Sequence, residues 1–218
     1  MAIEPLSPIS LPVPASTGLL HAWARDMVRV LTTGLKLLVR RLNDAVADLE
    51  TAIADIAAQA TILSAATATT SGTAHTLTGI PARAQEVVLT LAGVSTDGTD
   101  PLVITLGDSG GLETSGYTGV RASTDDTTTN SGSLTAFIAL TIAAVATLTY
   151  SGRVVLTLVD STTNTWAFSG MLAADDTDDI IYYFAGAKSL SAVLTQISLT
   201  TAGGTDVFDA GKFGMLVK

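Results

Sequence analysis

The sequence has no cysteine. That excludes a disulfide framework, a zinc ribbon and a thiol nucleophile, and leaves the redox compartment open. It has two histidines, too few for a histidine-rich metal set. It has neither a glycine-rich phosphate loop nor a dinucleotide fingerprint, so no cofactor is expected. Charged residues make up 14% of the chain against 47% hydrophobic. That is too apolar for disorder and ample for a core. The most apolar stretch, Leu134 to Tyr150, is laced with Thr and Ala. It falls short of the ~20 apolar residues a spanning helix needs and reads as buried strands, so no membrane insertion is expected. The opening residues carry Glu4 and early prolines rather than a basic segment followed by an apolar run, so no secretion signal is expected.

Positive charge is scarce as well. The net charge is −9, and it is unevenly placed. Residues 1–60 hold six acids and five bases, a balance of −1, whereas the rest holds fourteen acids and six bases, a balance of −8. An acidic surface repels phosphate backbones, which argues against nucleic-acid partners, and keeps a crowded protein soluble.

What is present begins with a heptad stripe. Val28, Leu35, Leu42, Leu49, Ile56 and Leu63 recur every seven residues. Leu31, Leu38, Ala45 and Ala52 follow the first four at three residues, which completes an a/d seam. Val39, Val46 and Ile53 widen the stripe to the position after each d. That width, with small Ala at d, favours three strands over two. Ser16 or Thr17 can cap the helix, and Trp23 and Met27 sit at i, i+4 in its first turns. Gly34 weakens it by about 1 kcal/mol relative to Ala. The helix is expected from 17 to about 64, roughly 70 Å at 1.5 Å per residue. The competing reading is an amphipathic helix folded back on its own domain.

Ahead of the helix, Pro5, Pro8, Pro12 and Pro14 interleave with Leu6, Ile9, Leu11 and Val13. Proline fixes φ and removes amide donors, so the arm reads as extended. It is either a disordered tail or a peptide that docks in a partner's groove. On the second reading these eight residues anchor the protein.

Beyond an Ala/Thr/Ser/Gly-rich hinge at 65–74, the texture is β. Val87, Leu89 and Leu91 alternate with Val88, Thr90 and Ala92, and similar runs recur at 102–106, 154–159, 193–199 and 213–217. Turn signals such as Asp97-Gly98, Asn130-Ser131-Gly132 and Gly203-Gly204 separate them. Eight or more short strands read as an antiparallel sandwich or jelly roll. Several are apolar on both faces, so in a trimer the second face can pack on neighbouring subunits. The expected fold class is α+β in segregated parts. An extended arm at 1–16 leads to a trimeric coiled-coil stalk at 17–66. A hinge at 67–74 then joins a jelly-roll-like sandwich head at 75–218.

Candidate chemistry is sparse. Gly107-Asp108-Ser109-Gly110-Gly111 matches the string around the nucleophile of trypsin-like proteases, with His75 upstream. That chemistry needs a His-activated Ser on a two-barrel scaffold. Here His75 precedes Ser109 by only 34 residues, and the other histidine, His21, lies on the helix. A turn, with Asp accepting local amide bonds, is the better reading. Asp175, Asp176, Asp178 and Asp179 form the densest acidic cluster. Oxygen ligands suit calcium, but EF-hand spacing is missing and a solvated loop is preferred. Trp166 and Phe168 share one strand face and read as core. Tyr182 and Tyr183 must point opposite ways in a strand. Together with the loop residue Tyr117 they are the candidates for receptor contact. A glycosidase needs two carboxylates about 5–10 Å apart in a cleft, and nothing in the sequence selects such a pair.

Several segments carry a family resemblance: Leu77-Thr78-Gly79-Ile80-Pro81; Leu106 through Tyr117; Ser161-Thr162-Thr163-Asn164-Thr165-Trp166; Gly186-Ala187-Lys188-Ser189-Leu190-Ser191; and Gly203 through Gly211. In this order, over 75–218, they resemble the C-terminal module of tailed-bacteriophage fibre and minor structural proteins. The resemblance implies a trimeric β head on a fibre, used for host recognition or particle decoration. It carries over no binding residue and does not cover the arm or the helix. The function expected is therefore that of a structural virion protein and not an enzyme: a short homotrimeric tail fibre, assembled in the host cytoplasm and carried on the virion exterior. Its arm would bind a tail, adaptor or neck protein, and its head a host-surface glycan or protein. A head or collar fibre, or a capsid decoration protein, is the alternative. A polysaccharide depolymerase is more remote, because its usual repetitive β-solenoid exceeds this length.

Overall fold

The computed structural model describes residues 17–59, 62–124, 129–142, 144–175 and 180–218. The expected anchoring arm lies outside them. The chain divides into two compact units, with the boundary between Ala58 and Gln59.

The first unit holds the single described helix, α1, Thr17–Gln59. Its 43 residues span roughly 65 Å at 1.5 Å per residue. Two threonines on α1 satisfy their own hydroxyls along it. Thr32 Oγ1 donates to the Val28 carbonyl at 2.7 Å, and Thr51 Oγ1 to the Ala47 carbonyl at 2.9 Å. This back-bonding to the carbonyl four residues earlier satisfies the hydroxyls within the helix.

The second unit is built from strands β1 (Ile62–Leu63), β2 (Thr67–Ala68), β3 (Ala74–Thr78), β4 (Glu86–Thr96), β5 (Leu102–Asp108), β6 (Gly111–Leu112) and β7 (Tyr117–Thr124). They are followed by β8 (Thr129–Leu134), β9 (Ile138–Ala139), β10 (Thr149–Asp160), β11 (Thr165–Asp175), β12 (Ile181–Ser189), β13 (Gln196–Thr201) and β14 (Phe208–Val217). A nine-stranded sheet runs β1-β14-β4-β10-β11-β12-β7-β8, with β2 also on β14. A five-stranded sheet runs β3-β13-β5-β6, with β9 also on β5. Every pairing is antiparallel.

Alternation builds the core. Leu89 on β4, Leu156 on β10, Leu172 on β11 and Phe213 on β14 point inward from the large sheet. Ile104 and Leu106 on β5, with Ile197 on β13, point inward from the small one, and all join one buried cluster. One crossing of β4 and β14 requires glycine. Gly211 has φ +94, and a Cβ there would lie 2.4 Å from the Gly93 carbonyl oxygen. The local register shift in β14 falls at this point, as expected where a bulge forces positive φ.

These observations correct the expected fold class. Among the described residues the chain is mostly β, with one helix and two antiparallel sheets, and not α+β in segregated parts. A coiled coil is a relation between helices, and α1 meets no second helix among the described residues. A jelly roll needs eight strands in two Greek keys, whereas here the sheets have nine and five strands. The expected stalk and hinge boundaries shift too. The helix stops at Gln59 rather than about 64. Leu63 sits on β1 opposite Leu216. The expected hinge at 67–74 contributes β2 to the large sheet. Within it Thr69 is fully buried, its amide donating to the Gly211 carbonyl at 3.0 Å and its hydroxyl to the Ala210 carbonyl at 2.6 Å.

Candidate interaction surfaces

Among the described residues, two surfaces carry exposed apolar side chains. The first is the stripe on α1. Val28, Leu31, Leu35, Leu38, Leu42, Leu49 and Ile56 are each 59–71% exposed, although the 3.6-residue period gathers them on one face. Leu63, the eighth residue expected for trimerisation, belongs to the other unit.

The second surface is the outer face of the nine-stranded sheet. Antiparallel sheets with one solvated face normally alternate apolar-in with polar-out. Here many outward residues are apolar or small. Register places Leu63, Leu216, Val88 and Val155 in one cross-strand row. The row continues through Ser169, Ala185, Val120 and Ser133. The adjacent row passes from Thr90 through Arg153, Met171, Tyr183 and Ala122. Val120 is 62% and Met171 58% exposed. Arg153, Val155, Ser169 and Met171, with the backbone of the inward-facing Gly152 and Gly170, line a shallow depression.

The tyrosines expected at a receptor surface divide. Tyr183 is outward at 41% exposure, and its neighbour Tyr182 is buried. Tyr117 is a correction. It is 2% exposed, and its hydroxyl accepts the Leu106 amide at 2.8 Å. It lies at the start of β7, where an ion pair between the buried Lys188 and the half-buried Glu113 closes over it. Lys188 Nζ sits 5.5 Å from the Tyr117 ring centroid, donates to the Ser189 carbonyl at 2.7 Å and pairs with Glu113. Glu113 Oε1 also accepts the Ser191 amide at 2.7 Å.

The electrostatics follow from this packing. Burial pushes the Glu113 carboxyl up, but hydrogen bonds from Lys188 and Ser191, with the lysine charge, outweigh it and bring the carboxyl down to about 2. Burial pushes the Tyr117 hydroxyl up to about 12, with the Leu106 amide opposing and the Glu113 charge reinforcing. The cluster locks β5, β7 and β12 together, and the sequence offered no sign of it beyond the separate residues.

The protease-like string forms a turn. Asp108 Oδ1 accepts the Gly110 amide at 2.7 Å, and Asp108 Oδ2 accepts the Ser191 hydroxyl at 3.1 Å. Its carboxylate is thereby occupied, and Ser109 is exposed. His75 packs edge-on against Phe208 at 4.9 Å. Burial pushes it below its usual value, opposed by a backbone bond with Ser71. Of the acidic cluster, Asp175 is exposed at the end of β11, while Asp176, Asp178 and Asp179 lie outside the described residues. Among the described residues, no three His, Asp or Glu side chains gather as a metal site. Nor is any helix there long and apolar enough to cross a membrane. Trp166 and Phe168 are both buried. Compared with family models, with curated proteins and with solved structures, the chain finds no match.

Proposed function

We propose that this chain is a structural virion protein, a short homotrimeric tail fibre of a bacteriophage. Copies associate through the apolar stripe of α1, the arm at 1–16 attaches them to the particle, and the β unit contacts the host surface. The observation that carries the reading is the bare stripe. Seven large apolar side chains from Val28 to Ile56 stay more than half exposed on one helix face, which a soluble protein tolerates only as an interaction surface. The phage assignment adds the ordered segments of the β unit that resemble fibre proteins. Three linked copies raise the effective concentration of weak surface contacts, so modest affinity per site suffices. Tyr183 is the exposed aromatic offered to a glycan or protein ligand.

Light scattering on the full chain tests the association. The expected mass is three times 22.2 kDa, reduced to a single chain by Leu35→Asp with Leu42→Asp. A single-chain mass with the stripe intact rejects the reading. Antibodies against the chain should label the outside of purified particles, at the tail. Label confined to the interior rejects the virion address.

A further inference from the structure

The second bare surface differs from the first in kind, because it is flat, made of sheet and nearly free of charge. The two central cross-strand rows of the nine-stranded sheet contain no acid and one base, Arg153. Yet this unit carries the whole balance of −8 found beyond residue 60. Most of its acids stand in turns or at strand ends, as Asp97, Asp160, Asp175 and Asp206 do. We infer that the outer face of this sheet, centred on Val155, Ala185 and Val120, packs against a second copy of the same chain.

Three observations select that occupant. Two equally acidic units repel each other except where acids are missing, and these rows are such a place. The face is also large enough. Strands β14 to β7 lie about 4.8 Å apart and run about nine residues at about 3.3 Å each. That gives a footprint on the order of 800 Å², close to the roughly 800 Å² per partner of a stable interface. Its small outward side chains, Ala122, Ser169 and Ala185 among them, allow two sheets to approach to about 10 Å. The inference rests on association through α1, which holds copies at high effective concentration, so a flat face without deep pockets is enough.

The absence of cysteine makes the test direct. Ala185→Cys places the sole thiol on the outer face, and Thr162→Cys places it on the exposed β10–β11 turn as a control. Maleimide labelling is timed in the full chain, and again with Leu35→Asp and Leu42→Asp added. In the associated chain Ala185→Cys should react at least about tenfold more slowly than in the dissociated variant, with Thr162→Cys equal in both. Equal rates for Ala185→Cys overturn the inference while leaving association through α1 standing. Slow labelling in both forms assigns the face to the chain's own residues and also overturns it. Protection that appears only with added phosphatidylglycerol vesicles gives the face to lipid and overturns it likewise. A single-chain mass with the stripe intact removes the underlying reading first. Labelling of Ala185→Cys at the control rate in that chain removes this inference with it.

Discussion

Leucines in the two units meet opposite surroundings. Leu35 on α1 is 62% exposed, whereas Leu89 on β4 is fully buried. Burying such a side chain is worth about 1.5–3 kcal/mol. The β unit collects that gain within one chain, from cross-strand alternation and two sheets over a shared core. The helix leaves it uncollected, and a lone helix is only marginally stable in water. The difference teaches where each unit's stability comes from. The β core should form within a single chain, whereas the helix should depend on protein concentration.

The widest gap between the units is expected from core truncation. Phe213→Ala should cost about 3–5 kcal/mol in denaturant unfolding of the β unit. Leu42→Ala should move that same transition by no more than about 0.5 kcal/mol. Equal losses would break the comparison outright. Next comes the ion pair of the buried Lys188 with the half-buried Glu113. Glu113→Gln leaves the 5%-exposed Lys188 side chain without its anion and should cost about 2–3 kcal/mol. Its pH signature has a definite sign. The folded carboxyl stands at about 2 against an ordinary 4.5. Its contribution is therefore full above pH 4.5 and is lost as pH falls toward 2. Unfolding titrated over that window should slope in the parent and flatten in Glu113→Gln, while the helical signal of α1 shows no such dependence on this residue.

Tyr117→Phe should cost about 1–2 kcal/mol, because the buried Leu106 amide loses its acceptor. The hydroxyl is held neutral up to about pH 12, so the parent loses this contribution as pH rises from 10 toward 12, and the Phe variant does not. The smallest effect belongs to the helix. A Cβ at Gly34 meets nothing within 4 Å. Gly34→Ala should therefore strengthen α1 by about 1 kcal/mol, read as helical circular dichroism against temperature, with the β transition unmoved. A shift of both transitions would show that the units do not respond separately.

Local periodicity made α1 readable from Val28 to Ile56, and the alternation of Val87, Leu89 and Leu91 made β4 readable. What failed was non-local. Leu63 satisfies the heptad count, yet its partner is Leu216, more than 150 residues away. Thr69 lies in a stretch whose composition signals a linker, but bonds to Ala210 and Gly211 bury it. Tyr117 follows Ser115-Gly116 like a loop aromatic, and only Lys188 from β12 and Leu106 from β5 make it core. Tyr182 and Tyr183 were separable in principle by alternation, but not which of them faced out. Neither the trimeric coiled coil nor the jelly roll could be read safely. The first depends on other chains, and the second on strand order, which period-2 patterns do not encode.

The placement of β14 has a consequence for synthesis. This strand sits between β4 and the pair β1 and β2, and the Ser64 amide bonds to the Met215 carbonyl across 151 residues of chain. A ribosome releases α1 first and β14 about 150 residues later. Until then β1 and β2 lack the strand they pair with among the described residues, and β4 lacks one of its two neighbours. On the proposed association through α1, copies would be able to meet while the sheet is still incomplete, with closure of the β unit the last step.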